Sequence, residues 1–200
     1  MISTKYNFIF IHIRKTAGNS IQAALMDFAD DRVVFRNSVG HVINDDGRQG
    51  LDVFNSALGF EDQRDKHATI RHYQEKLGEK LHQFFVFTCI RNPFDRVISR
   101  TAFKMGPLKK QPQVSELVLP KPMMNYLKLG NRIAVNNFIR FETLQDYIAA
   151  ICQKLNIQKT ELPHLNSSER SNYRDYYTEE TRALVTAKYA EELDFFNYTF

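Results

Sequence analysis

Two short stretches of this chain carry residue types suited to holding an anion. The first, Arg14-Lys15-Thr16-Ala17-Gly18-Asn19-Ser20, follows the β-rich apolar run Asn7 to Ile13 and precedes Ile21, Ala24, Leu25 and Phe28 at helical spacing. Backbone N–H groups entering a helix converge on one point, with about half a positive charge of dipole behind them, which favours a phosphate there. Lys15 adds a mobile full charge, Thr16, Asn19 and Ser20 add short donors, and Gly18 lets the backbone approach a ligand. Asn19 or Ser20 is the expected N-cap. Taken alone, the same turn also reads as a surface lysine ahead of a helix cap. Lys15 precedes Gly18 and no glycine stands upstream, so the turn departs from GxxxxGK[ST], which disfavours ordinary ATP hydrolysis.

The second stretch begins where the apolar run Phe84 to Ile90 ends at Arg91-Asn92-Pro93. Pro93 suits the first position of a helix, where its missing N–H would be unpaired anyway. Ser99 lies eight positions after Arg91, a little over two helical turns, and falls on the same side. An arginine at a strand end offers paired donors to phosphate oxygens, and a serine hydroxyl completes such a shell. The competing reading places Arg91 and Arg96 in surface ion pairs and turns Ser99 to solvent.

The elements that must position these turns follow from periodicity. Ile70, Tyr73, Leu77 and Leu81 predict a helix leading into the strand Phe84 to Ile90, and Phe94, Val97, Ile98 and Met105 predict one after it, closed by Gly106-Pro107. Ile133 to Phe141 reads as a further strand, Leu144, Tyr147, Ile148, Ile151 and Leu155 as a helix, and a final helix begins near Thr178. Arg36 to Lys66 is irregular, with loops and one helix expected. The proline-rich segment after Gly106 reads as a mobile loop, and Lys104, Lys109, Lys110 and Lys121 around it either attract an acidic glycan or solvate the connection. Alternation of strand and helix predicts an α/β domain with a central parallel sheet flanked by helices, whose ligands bind beyond the carboxyl ends of the strands.

Composition bounds the rest. Two hundred residues suit a single domain spanning 1–200, and 43% hydrophobic residues, with 16 Phe and 9 Tyr, exclude wholesale disorder. No apolar stretch approaches the roughly 18 residues needed to cross a bilayer, and no signal-peptide h-region is seen, so the expectation is a cytoplasmic enzyme without membrane insertion. A net charge of +4 suits anionic ligands and falls short of the basic stripe of a nucleic-acid binder. Cys89 and Cys152, each inside an apolar segment, read as reduced core thiols. His67 and His72 stand five apart, and neither HExxH nor paired CxxC occurs, so no metal is expected.

Taken jointly, Ile11 to Ser20 and Arg91 to Ser99 resemble the two nucleotide-binding motifs of sulfotransferases. The likeness is greatest to the carbohydrate branch, small bacterial members similar to the heparan sulfate 2-O- and 6-O-enzymes. Lys66-His67-Ala68-Thr69, Ile139-Arg140-Phe141-Glu142, Pro163-His164-Leu165-Asn166 and the tyrosine-rich C-terminal segment extend it along nearly the whole chain. The resemblance implies a P-loop NTPase-like sulfotransferase fold and the donor 3′-phosphoadenosine-5′-phosphosulfate. Lys15, Thr16, Ala17, Gly18, Asn19 and Ser20 then match the 5′-phosphosulfate loop, and Arg91 and Ser99 the 3′-phosphate site. Arg14, where proline is usual, and Asn19, where threonine is common, depart from the pattern.

The implied reaction is in-line sulfuryl transfer to a hydroxyl-bearing acceptor, a glycan or other small molecule, with Lys15 offsetting charge on the leaving phosphate. A hydroxyl acceptor needs a general base, and among six histidines His67 resembles the family's catalytic histidine, 24 residues before Arg91. An exposed helix-start histidine is its competing reading. His12 is expected to support or pack, His41 is a candidate base if its loop folds over the donor, and His72, His82 and His164 read as ordinary residues. A nucleotide kinase and a noncatalytic nucleotide-binding protein are the rival functions.

Overall fold

The computed structural model describes residues 1–30, 32–35, 51–54, 67–108, 110–158, 162 and 171–200. His41, Lys66, Lys109, His164 and most of the irregular Arg36 to Lys66 segment lie outside the described residues. In chain order the elements are β1 (Ile2–Ser3), β2 (Phe8–Ile11), α1 (Gly18–Leu25), β3 (Arg32–Phe35), β4 (Leu51–Phe54), α2 (Ile70–Leu77), β5 (Phe85–Ile90) and α3 (Pro93–Met105). There follow α4 (Met124–Leu127), β6 (Lys128–Leu129), β7 (Arg132–Ile133), β8 (Asn137–Arg140), α5 (Leu144–Lys154), α6 (Glu179–Lys188) and α7 (Ala190–Phe195). They fall into two compact units, Met1–Ile90 with Tyr126–Asn166, and Arg91–Asn125 with Ser167–Phe200.

The first unit is built on a four-stranded sheet in the order β1-β2-β5-β8. β2 and β5 run parallel with Phe8 opposite Phe85 and Ile11 opposite Thr88, and β5 and β8 run parallel with Ile90 opposite Arg140. β1 adds an antiparallel edge that periodicity did not reveal. All four residues of β2 are buried, as expected for a strand covered on both faces. Phe8, Phe10, Phe87 and Cys89 form one core with Ile21 and Leu25 of α1 and Ile148, Ile151 and Cys152 of α5. Both cysteines are free thiols inside it. β3 and β4 pair separately, antiparallel.

Three expectations change here. The helix expected through Leu81 stops at Leu77, because Gly78 takes a left-handed φ of 55° and the chain tightens into a 3₁₀ turn over Gly78–Gln83. The strand expected over Ile133 to Phe141 divides: β7 closes a hairpin with β6, and β8 starts where the Asn137 side chain donates to Val86 O at 2.9 Å. Tyr147, expected on the buried face of α5, is exposed.

In the second unit Phe94, Val97 and Ile98 of α3 pack with Leu117, Tyr176, Tyr177, Val185 and Tyr189. The segment after Gly106 is anchored rather than loose. Val118 N donates to Thr101 Oγ1 at 3.0 Å, Tyr189 Oη donates to Pro120 O at 2.6 Å, and Arg96 donates to Lys121 O. Met123 N and Met124 N both donate to Glu192 Oε1, and both methionines are buried. Arg96, which the competing reading placed in a surface ion pair, is 1% exposed and faces Glu192 Oε2 at 3.6 Å. Burial pushes the Glu192 carboxyl up to about 7, against the opposing pull of Arg96 and the two N–H donors. Burial likewise lifts the Tyr189 phenol above its ordinary range. The final helix is capped by Thr178, whose Oγ1 accepts from Thr181 N at 3.2 Å, and it breaks at Tyr189 into α6 and α7.

Candidate active site

The first turn leaves β2 through His12 and Ile13, both buried, and enters α1 at Gly18, two residues earlier than an Asn19 cap would allow. Ala17 is the N-cap, at φ 64° and ψ 17°, and supplies no side-chain hydrogen bond to the helix. Lys15 is also left-handed, at φ 66°. A non-glycine residue in this region costs about 1–2 kcal/mol. Strain of this kind, held twice within three residues, is characteristic of sites where backbone conformation serves binding. Left-handed residues turn successive N–H groups toward a common centre, and α1 adds the positive end of its dipole.

The side chains divide the work unevenly. Lys15 is half-buried and Ser20 buried. The hydroxyl of Thr16, expected to face an anion, instead donates to Ile13 O at 2.9 Å and closes the turn from inside. Gly18 answers to a neighbour within the protein: a Cβ there would stand 2.0 Å from Cδ2 of His12.

The second turn brings Arg91 and Ser99 together, with Nη1 donating to Ser99 Oγ at 3.4 Å and both residues buried. Asp95 holds Arg91 through Nε at 2.6 Å and so fixes the plane of its guanidinium. Asn92 caps α3 by accepting from Phe94 N at 3.0 Å, while its Nδ2 donates to Thr199 O at 2.8 Å and Tyr173 Oη at 3.3 Å. Tyr176 and Tyr177 are packing residues, and Tyr177 Oη donates to Phe94 O at 2.9 Å.

His67 is half-buried, with Nδ1 3.0 Å from His12 O. A carbonyl oxygen accepts and never donates, so Nδ1 is the donor of this contact and carries a proton. His72 serves as the capping partner of α2, its Nδ1 accepting from Thr69 N at 3.1 Å. His82 binds Glu79 O within its own turn. His12 is buried, and its Nδ1 lies 2.8 Å from Gln22 Oε1.

Residues 1–117 match the family model described as the sulfotransferase family. The chain belongs to the sulfotransferase family. The match covers more than half of it and includes the Lys15 turn, His67, and the Arg91 to Ser99 segment. No match is found among curated proteins or among solved structures. Membership supports a transferase that moves sulfuryl groups, on a mixed α/β fold whose central sheet contains parallel strands. Among the described residues of this sulfotransferase no cluster of three or more His, Cys, Asp or Glu could hold a metal ion, and no helix is long and apolar enough to cross a membrane.

Two residues that contact candidate site residues, Asp95 against Arg91 and Gln22 against His12, were given no role from the sequence. Asp95 was signalled by its i, i+4 spacing from Arg91. Gln22 was signalled by its place beside Ile21 and three residues before Leu25, on a face otherwise apolar.

Proposed function

We propose that this sulfotransferase transfers a sulfuryl group from 3′-phosphoadenosine-5′-phosphosulfate to a carbohydrate hydroxyl. The reading rests above all on the uncapped, left-handed entry into α1 beside Lys15, within the segment that matches the family. The donor suits such a turn because its 5′-phosphosulfate presents several anionic oxygens to N–H groups and a lysine. In this reading Lys15 to Ser20 form a P-loop-like cradle for the 5′ end, Arg91 and Ser99 take the 3′-phosphate, and residues 1–200 act as one sulfotransferase domain.

The acceptor oxygen forms its bond to sulfur as the bond from sulfur to the bridging phosphate oxygen breaks. The acceptor proton passes to Nε2 of His67, and 3′,5′-bisphosphoadenosine departs. Lys15 offsets the charge that grows on the departing phosphate. The exposed Lys104, Lys110 and Lys121 support an acidic glycan as acceptor.

The test is transfer of a radiolabelled sulfuryl group to a panel of desulfated polysaccharides. Transfer by the wild type, reduced by roughly 100- to 1,000-fold in Lys15→Ala and by roughly 100- to 10,000-fold in His67→Ala, supports the proposal. Binding of 3′,5′-bisphosphoadenosine with no transfer to any member of the panel favours a noncatalytic nucleotide binder.

A further inference from the structure

His67 is held from one side by the same segment that carries Lys15. Its Nδ1 meets the carbonyl of His12, the residue immediately after β2, at 3.0 Å. The two imidazoles also meet edge to face, with centroids 4.5 Å apart and planes at 71°. The ring of His12 is fixed in turn on two further sides. Its Nδ1 faces Gln22 Oε1 at 2.8 Å, and its Cδ2 and Nε2 fill the space beside Gly18 that a Cβ would occupy.

Gln22 shows that this arrangement is more than apolar packing. It is fully buried, and among the described residues its Nε2 has no hydrogen-bond partner. Such an amide is destabilising relative to one that is satisfied. A leucine at that place on α1 would pack without the penalty and would leave the His12 ring free to turn. The glutamine keeps the ring's orientation at the expense of stability.

We infer that His12 is a positioning residue for His67, setting both its tautomer and its aim relative to the Lys15 turn. The inference rests on the reading of His67 as general base. A base acting through Nε2 needs its proton on Nδ1, whereas a neutral histidine side chain in water prefers the opposite tautomer. The His12 carbonyl reverses that preference. Because this carbonyl lies three residues before Lys15, the base and the leaving-group charge are referenced to one short stretch of backbone. Loss of the His12 ring removes the wall that aims His67, and a misplacement of about 1 Å at a reacting centre costs on the order of 100-fold.

The experiment reads the ring nitrogens of His67 by NMR at mildly alkaline pH in the full chain, for wild type, His12→Ala and His12→Phe, beside kcat and donor KM. Wild type is expected to show a protonated Nδ1 and a bare Nε2. His12→Ala keeps the carbonyl but removes the ring that holds His67 against it, so part of His67 is expected to turn away and take the Nε2–H form, and kcat to fall by roughly 10- to 100-fold, with donor KM nearly unchanged because the Lys15 turn is intact. His12→Phe, which keeps a ring against His67, should restore most of both readouts. Nε2–H in the wild type overturns the inference, as does a His12→Ala protein with unchanged tautomer and kcat. Full transfer by His67→Ala, with the wild-type tautomer as expected, instead overturns the reading of His67 as base.

Discussion

The imidazole of His12 stands where the side chain of any residue but glycine would begin at position 18, with Cδ2, Nε2 and Cγ at 2.0, 2.2 and 2.6 Å from an ideal Cβ. The glycine of the Lys15 turn is thus required by a neighbouring ring, where the sequence suggested room for a ligand. Gly18→Ala must displace His12 or bend the start of α1, and overpacking of this kind costs about 1–3 kcal/mol. His12→Ala empties the contested space, so the double variant should be more stable than the sum of the two single losses by at least about 1 kcal/mol. Urea unfolding of the four proteins measures this coupling, and additive losses would contradict the contact.

Ala17 makes the opposite prediction. Its φ of 64° is unfavourable for alanine and free for glycine, so Ala17→Gly should raise stability by up to about 1 kcal/mol, less the entropy that glycine loses on folding. A rise in unfolding midpoint would locate stored strain in the Lys15 turn. A fall comparable with the about 1 kcal/mol cost of glycine inside a helix would argue that Ala17 carries no strain.

What the sequence disclosed depends on how far apart the interacting residues lie. β5 and α3 were legible because Phe85 to Ile90 is continuously apolar and Pro93 follows at once. The approach of Arg91 to Ser99 was legible because the helix that Pro93 opens just after Arg91 carries Ser99 about two turns along. The segment from Gly106 to Met124 was misread as loose because its proline and lysine content describes its own solvation. What holds it are Thr101, Arg96, Tyr189 and Glu192, up to 69 positions distant. His12 with Gln22 and His67 is a similar case: apolar periodicity places each on its element but says nothing of which ring nitrogen meets which oxygen. The split of Ile133 to Phe141 into two strands was hidden because apolar character does not name a strand's partner.

Glu192 should give stability an unusual pH dependence. Its carboxyl is raised from the ordinary 4.5 to about 7 by burial, so the folded state holds the proton more tightly than the unfolded chain does. Its contribution is fully present below about 4.5 and is lost as pH rises through about 7. A difference of this size is worth on the order of 3 kcal/mol across the window. Glu192→Gln keeps an acceptor for Met123 N and Met124 N and cannot ionise. Its stability relative to wild type should therefore improve steadily from pH 5 to 8 in urea unfolding. Parallel pH curves for the two proteins would contradict this.

In the proposed function the Lys15 turn takes the 5′ end of 3′-phosphoadenosine-5′-phosphosulfate and Arg91 with Ser99 take the 3′-phosphate, and thermal unfolding with the desulfated product tests this most directly. At about 100 times its dissociation constant, 3′,5′-bisphosphoadenosine should add roughly 2.7 kcal/mol, which at this chain length raises the midpoint by about 5–10 °C. ATP, ADP and AMP should give much smaller shifts, and both Lys15→Ala and Arg91→Ala should weaken the response to the bisphosphate. No shift with the bisphosphate, or a larger one with ATP, would contradict the account.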